Sequence, residues 1–413
     1  MEIRITNRPE LGPLMTFEHS KDKPVHGWFW YKEGYAPEIV DYAIKRYSEG
    51  PKTRAGSDKP ETRKDRPETR NERPETRGAK PETILDPFCG VGTTLLAAKT
   101  ARIASIGVDA SPLAAFVSKV KTQDYEGADL ARAMEFLAKR CEPAPKDAKW
   151  EFELFDARAA FPKRNYNEIL SIRHAIEGEE GKTRDLLLLA LLSVLPQSSI
   201  ILKDGGVLKI QKEKRALPAM DIFRRKVKRM VRELESSRTY GHVPQVFLGD
   251  ARALGMADEC VDLVMTSPPY LNNIDYSKIY GLELSLLEMS KSMAGQMRMR
   301  AVRSFIGKQM EVADMPPEVG DIGYMIPIIG TYFKDMEAAM MEMRRVLRPG
   351  GSAHIIVSNS VIRETHVIVD EIFAEMALRI GFSDAEIVVG AERTADVKPH
   401  KVKTRESDVI LTK

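Results

Sequence analysis

Residues Ile84-Leu85-Asp86-Pro87-Phe88-Cys89-Gly90-Val91-Gly92-Thr93-Thr94, running into the apolar stretch Leu95-Leu96-Ala97-Ala98, read as a short buried strand, a glycine turn and the first turn of a helix. Few folds accept that order. Gly90 and Gly92 let a ligand approach the backbone closely, and the helix start offers unpaired N–H groups to a polar or anionic ligand end. Downstream, Ile106-Gly107-Val108-Asp109-Ala110 reads as a second short strand closing on an acid, where a doubly wound α/β sheet holds a ribose diol. No Gly-Lys-Ser/Thr follows the turn, so the phosphate loop of nucleoside triphosphatases is excluded. The third glycine of the dinucleotide pattern is missing as well. A ligand with a ribose and no pyrophosphate fits, and S-adenosylmethionine is the one the pattern points to.

A second cluster, Thr266-Ser267-Pro268-Pro269-Tyr270, directly follows the apolar run Val261-Asp262-Leu263-Val264-Met265. It therefore sits at the end of a predicted buried strand, where open α/β sheets place their chemistry. The serine oxygen and the prolyl carbonyls are acceptors, two backbone N–H groups are missing, and the tyrosine adds a face on which a planar ring can stack. An ordinary strand-to-loop turn uses the same residue types. The pairing with the first cluster favours a site that holds the exocyclic amino group of a nucleobase.

With both clusters in view, the chain resembles the S-adenosylmethionine-dependent amino-methyltransferases that act on exocyclic nitrogens of cytosine or adenine in DNA. In that family Asp-Pro-Phe-x-Gly-x-Gly-Thr-Thr is the cofactor loop and Ser/Asn/Asp-Pro-Pro-Tyr the catalytic loop. Three further segments resemble it in the same order: Gly27-Trp28-Phe29-Trp30-Tyr31-Lys32-Glu33-Gly34-Tyr35-Ala36-Pro37-Glu38, the turn Gly249-Asp250-Ala251-Arg252 after Gln245–Leu248, and Arg344–Gly351 running into Ser352–Val357. The resemblance covers roughly residues 25–125 and 241–413. It implies an α/β fold of the class I methyltransferase, Rossmann-like type. It also implies a cofactor site made of Trp30, Tyr31, Asp86, Phe88, Gly90, Gly92, Thr93, Asp109, Ala110, Asp250 and Ala251, and a catalytic loop made of Ser267, Pro268, Pro269 and Tyr270.

Composition constrains the rest. A chain of 413 residues is long for one simple core and leads us to expect a catalytic core plus an addition. No apolar run approaches a membrane span, and Met1-Glu2-Ile3-Arg4 lacks a charged-then-apolar signal, so no membrane association and a cytoplasmic location are expected. Cys89, Cys141 and Cys260 have no metal-ligand spacing, so neither a metal nor a disulfide is expected. None follows a proline, which removes the Pro-Cys nucleophile used on carbon 5 of cytosine.

The formal net charge of +3 is unevenly spread: residues 203–238 carry twelve Lys/Arg against five Asp/Glu. This basic stretch closes a segment, residues 126–240, that a plain alternating sheet does not need. Helical periodicity at Leu130, Met134 and Leu137 and the apolar run Leu186–Leu195 make it a mostly helical insertion between two core pieces, 1–125 and 241–413. Its charge suits a phosphate backbone, with Arg224, Arg225, Lys228 and Arg229 as candidate contacts, although charge runs are commonly solvated helix faces. A second basic stretch, Ser290–Val319 with Lys291, Arg298, Arg300, Arg303 and Lys308, competes for that role. Residues 59–83 repeat Lys/Arg-Pro-Glu-Thr every seven residues. Proline in every unit and no apolar position exclude a coiled coil and predict a surface loop.

The expected chemistry is direct methyl transfer. Hydrogen bonds from the amine to Ser267 Oγ and the Pro268 carbonyl favour a localised lone pair, and Tyr270 stacks on the base, which must leave the duplex to reach the loop. Asn272, Asn273 and Asp275 either read the base edge or shape the loop; Tyr276 and Tyr280 line the pocket or pack. Within the family, serine at the first catalytic position is more usual for cytosine N4, the reading favoured here. Adenine N6 and an RNA amine stay open, and a cognate restriction endonuclease is a partner the resemblance allows.

Overall fold

The computed structural model describes residues 3–50, 79–204, 206–236, 241–272, 274–288, 297, 301–304, 315–397 and 400–413. Most of the seven-residue repeat, Asn273, Lys291, Arg298, Arg300 and Lys308 lie outside the described residues.

The first cluster folds as its sequence predicts: strand β2 (Thr83–Asp86), a glycine turn, helix α2 (Thr93–Thr100), strand β3 (Ala104–Asp109) and helix α3 (Pro112–Thr122). The second begins at β7 (Val261–Thr266), in which every residue is buried because helices cover both faces of the sheet. Two further strands flank this centre, β6 (Gln245–Leu248) and β8 (Leu347–Ser358). The run β6-β3-β2-β7-β8 is parallel throughout. The short hairpin β9 (Ser360–Ile362) and β10 (Thr365–Val367) follows β8 in the chain. Beyond β8 in the sheet come β12 (His400–Thr412), antiparallel to both neighbours, then β11 (Asp384–Val397) and the short β1 (Arg4–Asn7). This eight-stranded α/β sheet is the doubly wound, Rossmann-like class expected from the sequence. Its order reverses direction between β2 and β7, so the loops leaving those two strands face a single crevice.

Three apolar clusters hold the layers. One face of the sheet is covered by α1 (Pro37–Glu49) and α2, with Ile39, Val40 and Ala43 on Ile84, Leu263 and Ile356. The other side carries two long helices, Pro327–Val346 and Val369–Arg379, packing Tyr332, Phe333, Met336 and Phe373 on Val264, Ile355 and Val357.

The third cluster joins the insertion to the core. Helices α4 (Gly127–Ala138), α5 (Lys163–Glu177), α6 (Gly181–Ser198) and α7 (Ala219–Ser236), with the hairpin β4 (Ile201–Asp204) and β5 (Val207–Ile210), share one apolar cluster with Leu96, Leu113, Val117 and Val120. Leu186–Leu192 are fully enclosed, so this run is core. The inward face of α4 is Leu130, Ala133 and Phe136; Met134, which the sequence period placed there, is 40% exposed. An alanine and a phenylalanine complete the stripe, and a count of large aliphatics misses them. No described helix is long and apolar enough to cross a membrane.

Candidate active site

The crevice between the β2 and β7 loops is a cavity of about 440 Å³, within the range of small-molecule sites. Its floor is a buried carboxylate. Asp86, at the end of β2, accepts from Thr266 Oγ1 at 2.6 Å, Thr94 Oγ1 at 2.7 Å, Tyr35 Oη at 3.1 Å and the Phe88 N–H at 3.2 Å. Burial raises its pKa, and these four donors oppose the rise. The network ties β2, α2, β7 and the N-terminal segment into one unit.

Asp109, at the end of β3, accepts the Gly90 N–H and the Ser111 N–H, each at 2.8 Å. It keeps some surface towards the cavity, yet it is enclosed enough that burial raises its carboxyl to about 6. Gly90 is required by its neighbours: φ is +49°, and a Cβ there would lie 3.3 Å from the Tyr31 ring. Tyr31 is held in turn by stacking on Tyr280, with centroids 4.9 Å apart. The Tyr280 hydroxyl donates to Glu33 at 2.6 Å, and burial raises both groups. Trp30 stands at the mouth, 44% exposed, edge-on to Phe17 and beneath the Lys21 ammonium.

Trp30, Tyr31, Asp86, Phe88, Gly90, Thr93, Asp109, Ala110 and Ala251 all line this cavity; Gly92 and Asp250 do not. Gly92, with φ +78°, caps α2 and packs so tightly on α3 that a Cβ would fall 2.3 Å from Ser118 Oγ. Its glycine serves helix packing. The Asp250 carboxylate is taken by Arg252, with contacts of 2.7 Å to Nη2 and 3.0 Å to Nε.

The second wall is Ser267, Pro268, Pro269 and Tyr270, all lining the same cavity. The Tyr270 hydroxyl donates to Glu406 Oε1 at 3.3 Å, and the Arg393 guanidinium lies 3.3 Å from Glu406 Oε2. Asn272 also lines the cavity, but its side-chain oxygen accepts the Ile274 N–H at 3.2 Å and so shapes the loop. Asp275 caps helix α8 (Tyr276–Ile279) by accepting the Ser277 N–H at 3.1 Å. Tyr276 lines the cavity, whereas Tyr280 is buried as the platform under Tyr31.

Glu33, Tyr35, Arg393 and Glu406 are functional candidates that the sequence motifs did not single out. Glu33 and Tyr35 stand inside a recognised segment, two and four positions beyond Tyr31. Arg393 and Glu406 carry no local signal, because Glu406 reaches Tyr270 only through strand pairing, 136 positions away.

The predicted phosphate contacts stand apart from the cavity on α7. Ile222, Phe223, Val227, Met230 and Val231 face the core. Arg224, Arg225 and Lys228 are exposed on the opposite side. Arg229 pairs with Glu233 at 2.6 Å, and Glu233 also accepts the Val25 N–H and Trp28 Nε1. From the competing stretch, Arg303 is held by the buried Asp335 at 2.7 Å. No described group of three His, Cys, Asp or Glu side chains is placed to hold a metal ion.

Two curated relatives span nearly the whole chain. It is 22% identical to the type II methyltransferase M.BsoBI of Geobacillus stearothermophilus, the match covering 92% of this chain and 83% of that protein. It is 23% identical to the type II methyltransferase M.AvaI of Anabaena variabilis, over 91% and 83% respectively. Among solved structures, a SAM-dependent methyltransferase from Methanosarcina mazei is 10% identical, covering 80% of this chain and 92% of that one, with a TM-score of 0.29. That overlay is too loose to add to the strand order above. No family model matches the chain.

Proposed function

We propose that the protein is a DNA amino-methyltransferase that transfers a methyl group from S-adenosylmethionine to N4 of cytosine. The observation that carries this reading is the meeting, in one cavity at the topological switch point, of the Gly90/Asp109 wall with the Ser267-Pro268-Pro269-Tyr270 wall. Two long relatives named as type II methyltransferases support it.

The cofactor's requirements fit the first wall. Two backbone N–H groups fix the Asp109 carboxylate and leave its remaining lone pairs for a ribose diol, and Gly90 keeps the loop low enough for close approach. Trp30 and Tyr31 border the same space. When bound, S-adenosylmethionine supplies an electrophilic sulfonium methyl.

The second wall acts on the base. Ser267 Oγ and the Pro268 carbonyl accept hydrogen bonds from the exocyclic amine, which draws its lone pair out of conjugation and aims it at the methyl. Tyr270 offers a ring to stack on. Rate enhancement comes chiefly from proximity and orientation. A paired base cannot reach this depth, so the target is rotated out of the duplex. Arg224, Arg225, Lys228 and Arg229 hold the phosphate backbone, and a cognate restriction endonuclease is the natural counterpart.

The test is methyl transfer from labelled S-adenosylmethionine to duplex DNA and to RNA, with the modified base identified by chromatography. N4-methylcytosine in DNA is the expected product. N6-methyladenine would move the assignment to the other amine, label in RNA alone would move it to the other nucleic acid, and no transfer to either would end it.

A further inference from the structure

The cavity contains a buried carboxylate that the chemistry above does not use. Glu406 lies on β12 opposite Ser358 of β8 and Ala391 of β11, and only 8% of it is exposed. The β11–β12 register shifts between Val389 and Ala391, so a bulge at Gly390 lies across from the step from Ser407 to Glu406. Bulges beside active sites re-aim side chains. The glycine lets Met15 and the Gly12 backbone pack close on this bulge: a Cβ at 390 would meet Met15 Sδ at 2.7 Å and the Gly12 nitrogen at 3.1 Å. The result places an acid against the loop after β7: the Tyr270 hydroxyl donates to Glu406 Oε1 at 3.3 Å, and Ser267 lines the same cavity, its side chain opposing the rise that burial imposes on the Tyr270 hydroxyl.

Resting on the function proposed above, we propose that Glu406 is a positioning residue that directs a hydrogen-bonded chain, Ser267 to Tyr270 to Glu406, and receives the proton released by the target amine. An anion at the end of the chain makes each hydroxyl donate towards it. Ser267 Oγ is then left with its lone pairs facing the amine, and a chain polarised in this way strengthens each acceptor along it. As the N–CH₃ bond forms and the S–CH₃ bond breaks, the sulfonium becomes a thioether and the nitrogen carries a surplus proton. That proton passes to Ser267 Oγ, the serine proton to Tyr270 Oη, and the tyrosine proton to the carboxylate. A neutral methylated amine and a carboxylic acid remain.

The surroundings favour a base of this kind. Burial raises Glu406 above the ordinary carboxylate range, while Arg393 and the Tyr270 hydroxyl oppose the rise. Among the described residues, Arg393 from β11 is the charged group facing it; β8 contributes Ser358, and the β7 loop contributes Tyr270. Arg393 is itself 68% exposed, so its pull is softened by solvent. Activity should therefore be present while Glu406 is ionised and fall as pH drops through its raised pKa.

Two variants separate a proton route from mere support. Tyr270→Phe keeps the stacking ring and removes the link, and Glu406→Gln keeps the shape and removes the charge. Each should lower the single-turnover rate on duplex DNA by about 10²-fold, the usual scale of general acid–base catalysis. With cofactor held saturating at every pH, so that the loss of binding at Asp109 does not enter, each should also lose the fall in rate towards acid pH, and cofactor affinity should equal the parent's. In infrared titration of the unliganded protein, a carboxylic carbonyl band absent from Glu406→Gln should rise over the same pH range as the parent rate falls. If either variant keeps the parent rate and its acid limb while the parent methylates DNA, the relay is overturned and the function stands. If the parent methylates neither DNA nor RNA, both fall together.

Discussion

The two walls of the cavity are built in opposite ways. The cofactor-side wall comes mostly from one stretch of chain, Asp86 to Ser111, and its carboxylates are fixed by donors supplied by the fold: four on Asp86, two backbone N–H groups on Asp109. The target-side wall is assembled from the β7 loop and the β11–β12 hairpin, and its central contact spans 136 positions. One wall is part of the folding core. The other is a set of separately delivered groups that can be changed without unmaking the sheet.

The sharpest break of that contrast is at Asp86. Asp86→Ala removes the shared acceptor of three buried hydroxyls and the part-buried Phe88 N–H and should lower unfolding stability by about 3 kcal/mol, read by denaturant titration. Unchanged stability would mean that the cofactor wall is not part of the core.

Next in size is the surface beyond both walls. Replacing Arg224, Arg225, Lys228 and Arg229 with alanine should reduce the slope of log K for DNA against log salt by about three, since Arg229 shares its charge with Glu233. Cofactor affinity should not move. An unaltered slope, measured by fluorescence anisotropy across a salt series, would assign the backbone grip elsewhere.

At the cofactor wall itself, Asp109→Ala should weaken S-adenosylmethionine by about 1.5–3 kcal/mol in calorimetry. The pH dependence has a definite sign. The carboxylate is the acceptor for the ribose, so affinity should be full only well above its pKa and fall as pH drops through about 6. The stability of the cofactor-free protein should respond the other way: the folded state holds this proton to a higher pH than the unfolded chain, so the group's contribution declines as pH rises from 3.8 to about 6.

The smallest effect belongs to the target wall. Tyr270→Ala should cost about 1–3 kcal/mol of binding to DNA with a mismatched target base, through loss of stacking. Fold and cofactor affinity should be retained, and a melting temperature lowered as far as that of Asp86→Ala would erase the distinction between the walls.

Much of this was legible in the chain because both motifs are local. A strand, a glycine turn and a helix start are neighbours in sequence, so Asp86, Gly90 and Asp109 read directly as a ligand-binding edge. Buried strands likewise announce themselves as apolar runs, and Val261–Met265 therefore locates the loop Ser267–Tyr270 at the sheet's edge. Local pattern fails where two partners explain one residue. Gly92 matches the ligand loop by spacing, yet a steric demand from Ser118 on another helix fixes it. Arg252, two positions beyond Asp250, pairs with it and also with Asp335, 83 positions away, a partner no local pattern announces. The Tyr270–Glu406–Arg393 chain has no sequence signature at all, because strand register and one bulge bring it together. Sequence determined the fold class and the cofactor-side loop, whose geometry depends on short-range backbone chemistry. Only the tertiary structure decided which distant charges face the target, because that depends on how the sheet closes across its antiparallel edge.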